Sequence, residues 1–215
     1  AGGSGIVIVR YLGVDAGGGG TEATGSGTAT GYSLHTFTTS GTLTLNAISA
    51  KLSGDISGAN ILTINATPGV LTLSGTNTYS GGTTISGGRV LAGISSTGSV
   101  TNGPFGTGTV TVGSGFTLDL NGFNIANALN LTGTGLSSNG ALINSSSTAS
   151  TASGAVTIAA NTSIGGSGAI TMSGAISAST YIVSFVNGAA VTAENTSNNI
   201  ASVTITNSAL ILKTT

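Results

Sequence analysis

Thr109-Val110-Thr111-Val112-Gly113-Ser114-Gly115-Phe116-Thr117-Leu118-Asp119-Leu120-Asn121-Gly122 is the stretch on which the fold turns. It holds two runs in which aliphatic and small polar residues alternate, each closed by Gly, Asn or Ser. Alternation at period two puts the aliphatics on one side of a strand and the small polar residues on the other. The closing residues tolerate positive φ and end the strand in a turn. The same phrase returns at Thr42-Leu43-Thr44-Leu45, Leu62-Thr63-Ile64, Leu71-Thr72-Leu73, Ala155-Val156-Thr157-Ile158, Ile170-Thr171-Met172 and Val203-Thr204-Ile205. Helices have little room, because Gly recurs too often. The longest glycine-free stretches, residues 141–153 and 189–215, are rich in residues that favour strands or turns.

Short strands between turns make either a sandwich or barrel, or a solenoid. The runs span about three to five residues, whereas sandwich strands more often reach about five or six. Aromatics are 4% of the chain and Trp is absent, although sandwiches commonly rely on large core residues. The return of one phrase from residue 42 to residue 205 favours coils that bury their aliphatics only by stacking on one another. With about 20 residues per coil and ~4.8 Å between coils, residues 48–215 make roughly eight coils and a rod of about 40 Å. Its thin core is expected to hold Leu62, Ile64, Leu71, Leu73, Ile85, Val110, Val112, Leu118, Leu120, Val156, Ile158, Ile170 and Met172.

Composition narrows the functions. The 215 residues include 37 Gly and only nine formal charges (Lys+Arg 4, Asp+Glu 5), for a net charge of −1. Four scattered cations, Arg10, Lys51, Arg89 and Lys213, make no footprint for nucleic acid or for an anionic membrane surface. A disordered chain would be poor in apolar residues and rich in net charge; here the hydrophobic fraction is 39% and the mean hydropathy +0.43. No G-X-Y period points to collagen. No apolar run approaches the ~20 residues of a membrane helix, so no membrane insertion is expected. With no Cys, disulfides and thiolate metal sites are excluded. The chain starts at Ala1 without an export signal, as a mature or excerpted segment would.

Residues 1–47 differ in texture. Ile6-Val7-Ile8-Val9-Arg10-Tyr11-Leu12 is the most hydrophobic strand, apolar on both faces, and needs cover on both sides within its own small β module or from a neighbouring chain. Gly17-Gly18-Gly19-Gly20 follows, then Tyr32-Ser33-Leu34-His35-Thr36-Phe37-Thr38. A boundary is placed near Ala47, with the solenoid over 48–215.

The segment Leu71-Thr72-Leu73-Ser74-Gly75-Thr76-Asn77-Thr78-Tyr79-Ser80-Gly81-Gly82-Thr83-Thr84-Ile85-Ser86-Gly87-Gly88-Arg89-Val90-Leu91-Ala92-Gly93 closely resembles the autotransporter-associated β-strand repeat of bacterial secreted passenger domains. Residues 106–112, 116–122 and 164–170 are similar to the segments that accompany it, so the likeness spans about 60–178. It implies an all-β, right-handed parallel β-helix, exported and displayed at a cell surface. No translocator-type membrane barrel is read in these residues. The phrases at 2–11 and 32–42 resemble a glycine-rich module of phage tail and bacterial surface proteins, which implies a mosaic extracellular structural protein.

Chemistry is sparse. Acid and base catalysis wants two convergent titratable groups, whereas Asp15, Glu22, Asp55, Asp119 and Glu194 are isolated in sequence. Asp119 sits within a strand, and alternation puts it outside as a solvated wall residue. His35 is the sole His and reads as structural. Gly106-x-Gly108 and Gly113-x-Gly115 are turns, since no helix or P-loop Lys follows. Calcium coils of the Gly-Gly-x-Gly-x-Asp type lack their Asp, so no metal is expected, and no cofactor or enzymatic activity either. Thr42/Thr44, Thr107/Thr109/Thr111 and Thr204/Thr206 recur at no strict interval, which argues against a regular ice-binding array.

A mechanical role remains. Stacked coils expose their end rungs as unpaired edges, which proteins usually blunt with charge or Pro; here Pro is limited to Pro68 and Pro104. Ile6, Val7, Ile8, Val9, Tyr11 and Leu12 at one terminus and Leu210, Ile211 and Leu212 at the other are the expected self-association residues. The chain is thus expected to be an extracellular stalk or filament subunit that forms homo-oligomers end to end. The alternative is an adhesin or tail-fibre segment, with Tyr79, Phe105, Phe116, Phe123 or Tyr181 stacking on surface glycans.

Overall fold

The computed structural model describes residues 49–213 throughout and, ahead of them, the backbone of five strands. These five are β1 (Val7–Leu12), β2 (Gly17–Gly18), β3 (Thr21–Thr24), β4 (Tyr32–Phe37) and β5 (Gly41–Leu45). β1, β4 and β3 form an antiparallel sheet in that order. β2 runs antiparallel to β5, and β5 pairs in parallel with the next part of the chain, so the parallel ladder begins ahead of Ala47.

From there the chain is a parallel β-solenoid of about eight turns. Its strands are β6 (Ser49–Leu52), β7 (Leu62–Leu73), β8 (Thr83–Ala92), β9 (Val110–Val112), β10 (Thr117–Asp119), β11 (Leu129–Gly133), β12 (Leu142–Ile143), β13 (Ser150–Ala152), β14 (Val156–Gly165), β15 (Ile170–Met172), β16 (Ile176–Phe185), β17 (Ala190–Ala193), β18 (Asn199–Ile205) and β19 (Ala209–Leu212). A first face stacks β5, the front halves of β7 and β8, β9, β11, and the front halves of β14, β16 and β18. A second face stacks β6, the back halves of β7 and β8, β10, β12, and the back halves of β14, β16 and β18. A third face is β13-β15-β17-β19, extended backwards by Ile125, which bridges to Ala152.

Register turns each face into columns. On the first face Ile64, Ile85, Val112, Leu131 and Ile158 fall one above another and are all buried. On the second, Leu71, Val90, Leu118, Leu142, Ile164 and Phe185 do the same. Each such side chain contributes about 1.5–3 kcal/mol by leaving water, and only because a neighbour above and below completes its contacts. Every core residue named from the sequence is buried except Leu62, which packs half-buried against the core.

Two expectations are corrected by this register. Strand lengths of three to five hold for β9, β10, β13 and β15, but β7 has 12 residues and β8, β14 and β16 have 10 each. In these coils the corner between first and second faces is a shift of register inside one strand, as between Ile64 and Val70, and no separate turn interrupts the strand there. At the β8 corner Gly88 has φ 69, and a Cβ there would lie 2.6 Å from the carbonyl oxygens of Ala66 and Gly69.

Spacing is also less even than 20. The interval is 21 from Ile64 to Ile85, 27 from Ile85 to Val112 and 19 from Val112 to Leu131. Irregular loops hide a regular outside: Thr63, Thr84, Thr111, Asn130, Thr157, Ser177 and Asn199 align in one column on the first face. The Thr residues do form a row, then, although their sequence intervals concealed it.

Candidate self-association edge

The last described rung consists of β18 and β19. Both pair in parallel with the rung before, β18 with β16 and β19 with β17, and among the described residues neither has a strand on its other side. In the columns they terminate, Val183 and Phe185 are fully buried, and their successors Val203 and Ile205 are exposed, Ile205 by 50%. Val191 and Ala193 are buried, whereas Leu210 is half-covered and Leu212 is 54% exposed. These inward positions keep the core's apolar chemistry without a cover.

The outward column of the third face adds a second feature. It reads Thr151, Thr171, Thr192 and then Ile211, which is 57% exposed. Three rungs take a hydroxyl residue and the last takes a large aliphatic one. Backbone groups follow the same logic. Ala209 N–H donates to Ala189 O (2.9 Å) and Lys213 N–H to Ala193 O (3.0 Å). Alternation along a parallel strand therefore turns the amides and carbonyls of Leu210 and Leu212 to the open side. The edge carries one ion pair, Lys213 Nζ to Glu194 Oε1 at 2.5 Å, which is largely exposed and so contributes little.

Of the other proposed association residues, Ile6 lies outside the described residues. Val7, Ile8, Val9, Tyr11 and Leu12 run along β1, paired with Phe37, Thr36, His35, Ser33 and Tyr32 of β4. They belong to a different sheet from Leu210, Ile211 and Leu212, and the structure does not bring the two sets together. Val203 and Ile205 were not singled out from the sequence as edge residues. Their alternation was visible, but their place in an end rung depends on register.

Charged and aromatic candidates take structural positions. Asp119 corrects the expectation of a solvated wall residue, because it is fully buried. Its Oδ2 receives Arg89 through Nε (3.0 Å) and Nη2, and the Ser145 hydroxyl at 2.7 Å. Its Oδ1 receives the backbone N–H groups of Asn121 (2.9 Å) and Ser145 (3.0 Å). Alternation does point Asp119 outward, but the loop after β12 folds over it. Asp55 accepts from Thr76 N–H at 2.6 Å, and Glu194 is held by Lys213. Among the described residues no three His, Cys, Asp or Glu side chains gather.

Tyr79 and Phe105, named as possible glycan platforms, are buried in the core, while Phe116 and Phe123 pack half-buried against it. Tyr181 alone of the five is exposed. The Tyr79 hydroxyl meets Thr83 Oγ1 at 2.5 Å, and Thr83 in turn donates to Phe105 O at 3.0 Å. Burial pushes the Tyr79 phenol well above its ordinary value, and the bond to Thr83 opposes this only in part.

Residues 68–92 match the family described as Passenger-associated-transport-repeat. No curated protein and no solved structure matches the chain. The matched stretch runs from the back half of β7 through β8, which is one coil of the solenoid and most of the segment that the sequence reading selected. The chain thus carries a passenger-associated transport repeat within a β-solenoid, and repeat and fold together point to an autotransporter passenger domain, a surface-associated kind of protein.

Proposed function

We propose that the chain is a structural stalk segment of a secreted, cell-surface passenger, that it has no catalytic task, and that it joins a second copy end to end. The single observation behind this reading is the last described rung, where core columns continue as Val203, Ile205, Leu210 and Leu212 without cover among the described residues. An apolar strand edge of that kind is a template for another strand. The stack behind it suits a load-bearing rod, since each coil holds its neighbours through backbone ladders and a continuous core. Uncharged walls of Thr, Ser, Ala and Asn give that rod a surface with little to bind. The glycan-binding alternative would rest on Tyr181 alone among the aromatics first considered.

Light scattering across a concentration series tests the reading. The expected result is a mass at least twice the 20.4 kDa of one chain, reduced to one chain by Leu212→Lys. A particle that stays monomeric at every concentration overturns it.

A further inference from the structure

We infer that residues 134–140, between β11 and β12, form a strap that ties four successive coils into one cooperative unit, so that this stretch of the rod opens as a block and not coil by coil. The inference concerns a single chain and is independent of how its ends associate.

The segment is not needed to turn the corner. Between Gly133 and Leu142 the chain spends eight residues, whereas their partners in the next coil, Thr162 and Ile164, have only Ser163 between them. Two of the extra residues are also held in an unfavourable backbone. Ser137 (φ 52) and Ser138 (φ 60) are both left-handed, a conformation that a Cβ disfavours. An insertion longer than the corner requires, and strained as well, keeps its shape only through the contacts around it.

Those contacts reach beyond the neighbouring coils. In the preceding coil, the buried Thr117 hydroxyl donates to Gly140 O (2.9 Å) and accepts from Leu136 N–H (2.9 Å), and so grips both ends of the strap. Gly140 N–H closes the base onto Thr134 O at 2.9 Å. In the following coil, the strap passes over Gly165, the outward position paired with Ile143, where a Cβ would collide with Asn139 O. One coil further on, the Asn187 amide donates to Asn139 Oδ1 (3.1 Å) and to Ser138 O (3.4 Å). The column Leu118, Leu142, Ile164 and Phe185 gives the order of these coils, so Asn187 lies two coils from Asn139. A solenoid is held by contacts between adjacent repeats and can open one repeat at a time. A tie that skips a coil removes that freedom, because the coil of Ile164 cannot part from either neighbour while the strap spans it.

Hydrogen exchange followed by mass spectrometry at low denaturant tests this, because strands that open together share one opening free energy. In the unmodified chain β10, β12, β14 and β16 are expected to open as one set. Asn187→Gly keeps the left-handed turn (φ 60) and removes the tie. It is expected to speed exchange of β16 about tenfold, the effect of losing two hydrogen bonds. Asn207→Gly makes the same change at the equivalent turn one coil on (φ 50), where the described residues show no bond to the strap. It is expected to leave β16 within about twofold of its original rate. Deleting residues 134–140 joins Gly133 to Ala141 and copies the Thr162-Ser163-Ile164 corner, since Ala141 N–H already donates to Ser163 O (2.8 Å). With Thr117→Val added, to remove the hydroxyl left without partners, this variant is expected to open coil by coil, with β10 and β16 no longer linked.

Exchange of β16 that is equal in Asn187→Gly, Asn207→Gly and the unmodified chain overturns the inference, and so does coil-by-coil opening of the unmodified chain. A deletion variant that still opens as one set overturns it too. If the deletion variant does not fold, the comparison of the two glycine variants decides.

Discussion

Replacing Asp119 with Ala asks whether a carboxylate inside the wall is structural. In the native coil its two oxygens take five hydrogen bonds, two from Arg89, two from backbone N–H groups and one from Ser145. Truncation leaves the amides of Asn121 and Ser145 without acceptors, and an unsatisfied buried donor costs about 1–3 kcal/mol. Arg89 loses its partner too, but its side chain is 30% exposed and can turn to water. The two stranded amides together set the expected loss at about 2–6 kcal/mol, a large share of the roughly 5–15 kcal/mol available to a domain. Arg89→Ala leaves the buried Asp119 carboxylate with three donors and no countercharge, and is expected to lose about 3–5 kcal/mol. The measurement is urea unfolding followed by circular dichroism for both single variants and the double variant, read as a cycle. A surface residue would change stability by no more than about 0.5 kcal/mol. A loss of that size for Asp119→Ala would refute the account of a buried anchor between coils.

Two further substitutions probe the core beside it. Tyr79→Phe removes a buried hydroxyl while Thr83 keeps Phe105 O, so a loss of about 1 kcal/mol is expected in thermal unfolding. Since Tyr79 stays protonated in the fold to a higher pH than in the unfolded chain, its contribution is complete below about pH 10 and shrinks as pH rises beyond that. The wild-type unfolding midpoint is therefore expected to fall more steeply in alkali than that of Tyr79→Phe; equal slopes would contradict it. Phe105→Ala empties one of the largest side chains in this core, is expected to cost about 3–5 kcal/mol, and is checked by the denaturant midpoint.

Much of the fold was legible because its signal is local. Thr-aliphatic alternation ending in Gly or Asn appears in any window along 109–122, and it is enough to name strands, turns and a stacked architecture. Burial of Val110, Val112, Leu118 and Leu120 followed from the same alternation. Asp119 shows where locality ends. Its outward direction was correct, but its burial depends on Arg89 and Ser145, which lie 30 and 26 residues away in the chain and meet it only through register. Tyr79 and Phe105 escaped for a similar reason, since they fill the interior at a coil that has no third-face strand. The self-association edge was half legible. Leu210, Ile211 and Leu212 stood out as an apolar run, whereas the importance of Ile211 emerges only when Thr151, Thr171 and Thr192 are seen behind it.

Solenoid stacking constrains columns and leaves intervals free. Lengthening a loop from a few residues to twice as many costs only about 0.6 kcal/mol in closure entropy. Moving one aliphatic residue out of an inward column forfeits about 1.5–3 kcal/mol. Residues 93–109 can therefore interrupt the stack between β8 and β9 while Ile85 still meets Val112. The same inequality bears on the tail. Where intervals drift freely but columns hold, a change of chemistry within a column carries more information than any change of spacing, and the replacement of Thr by Ile at residue 211 is such a change.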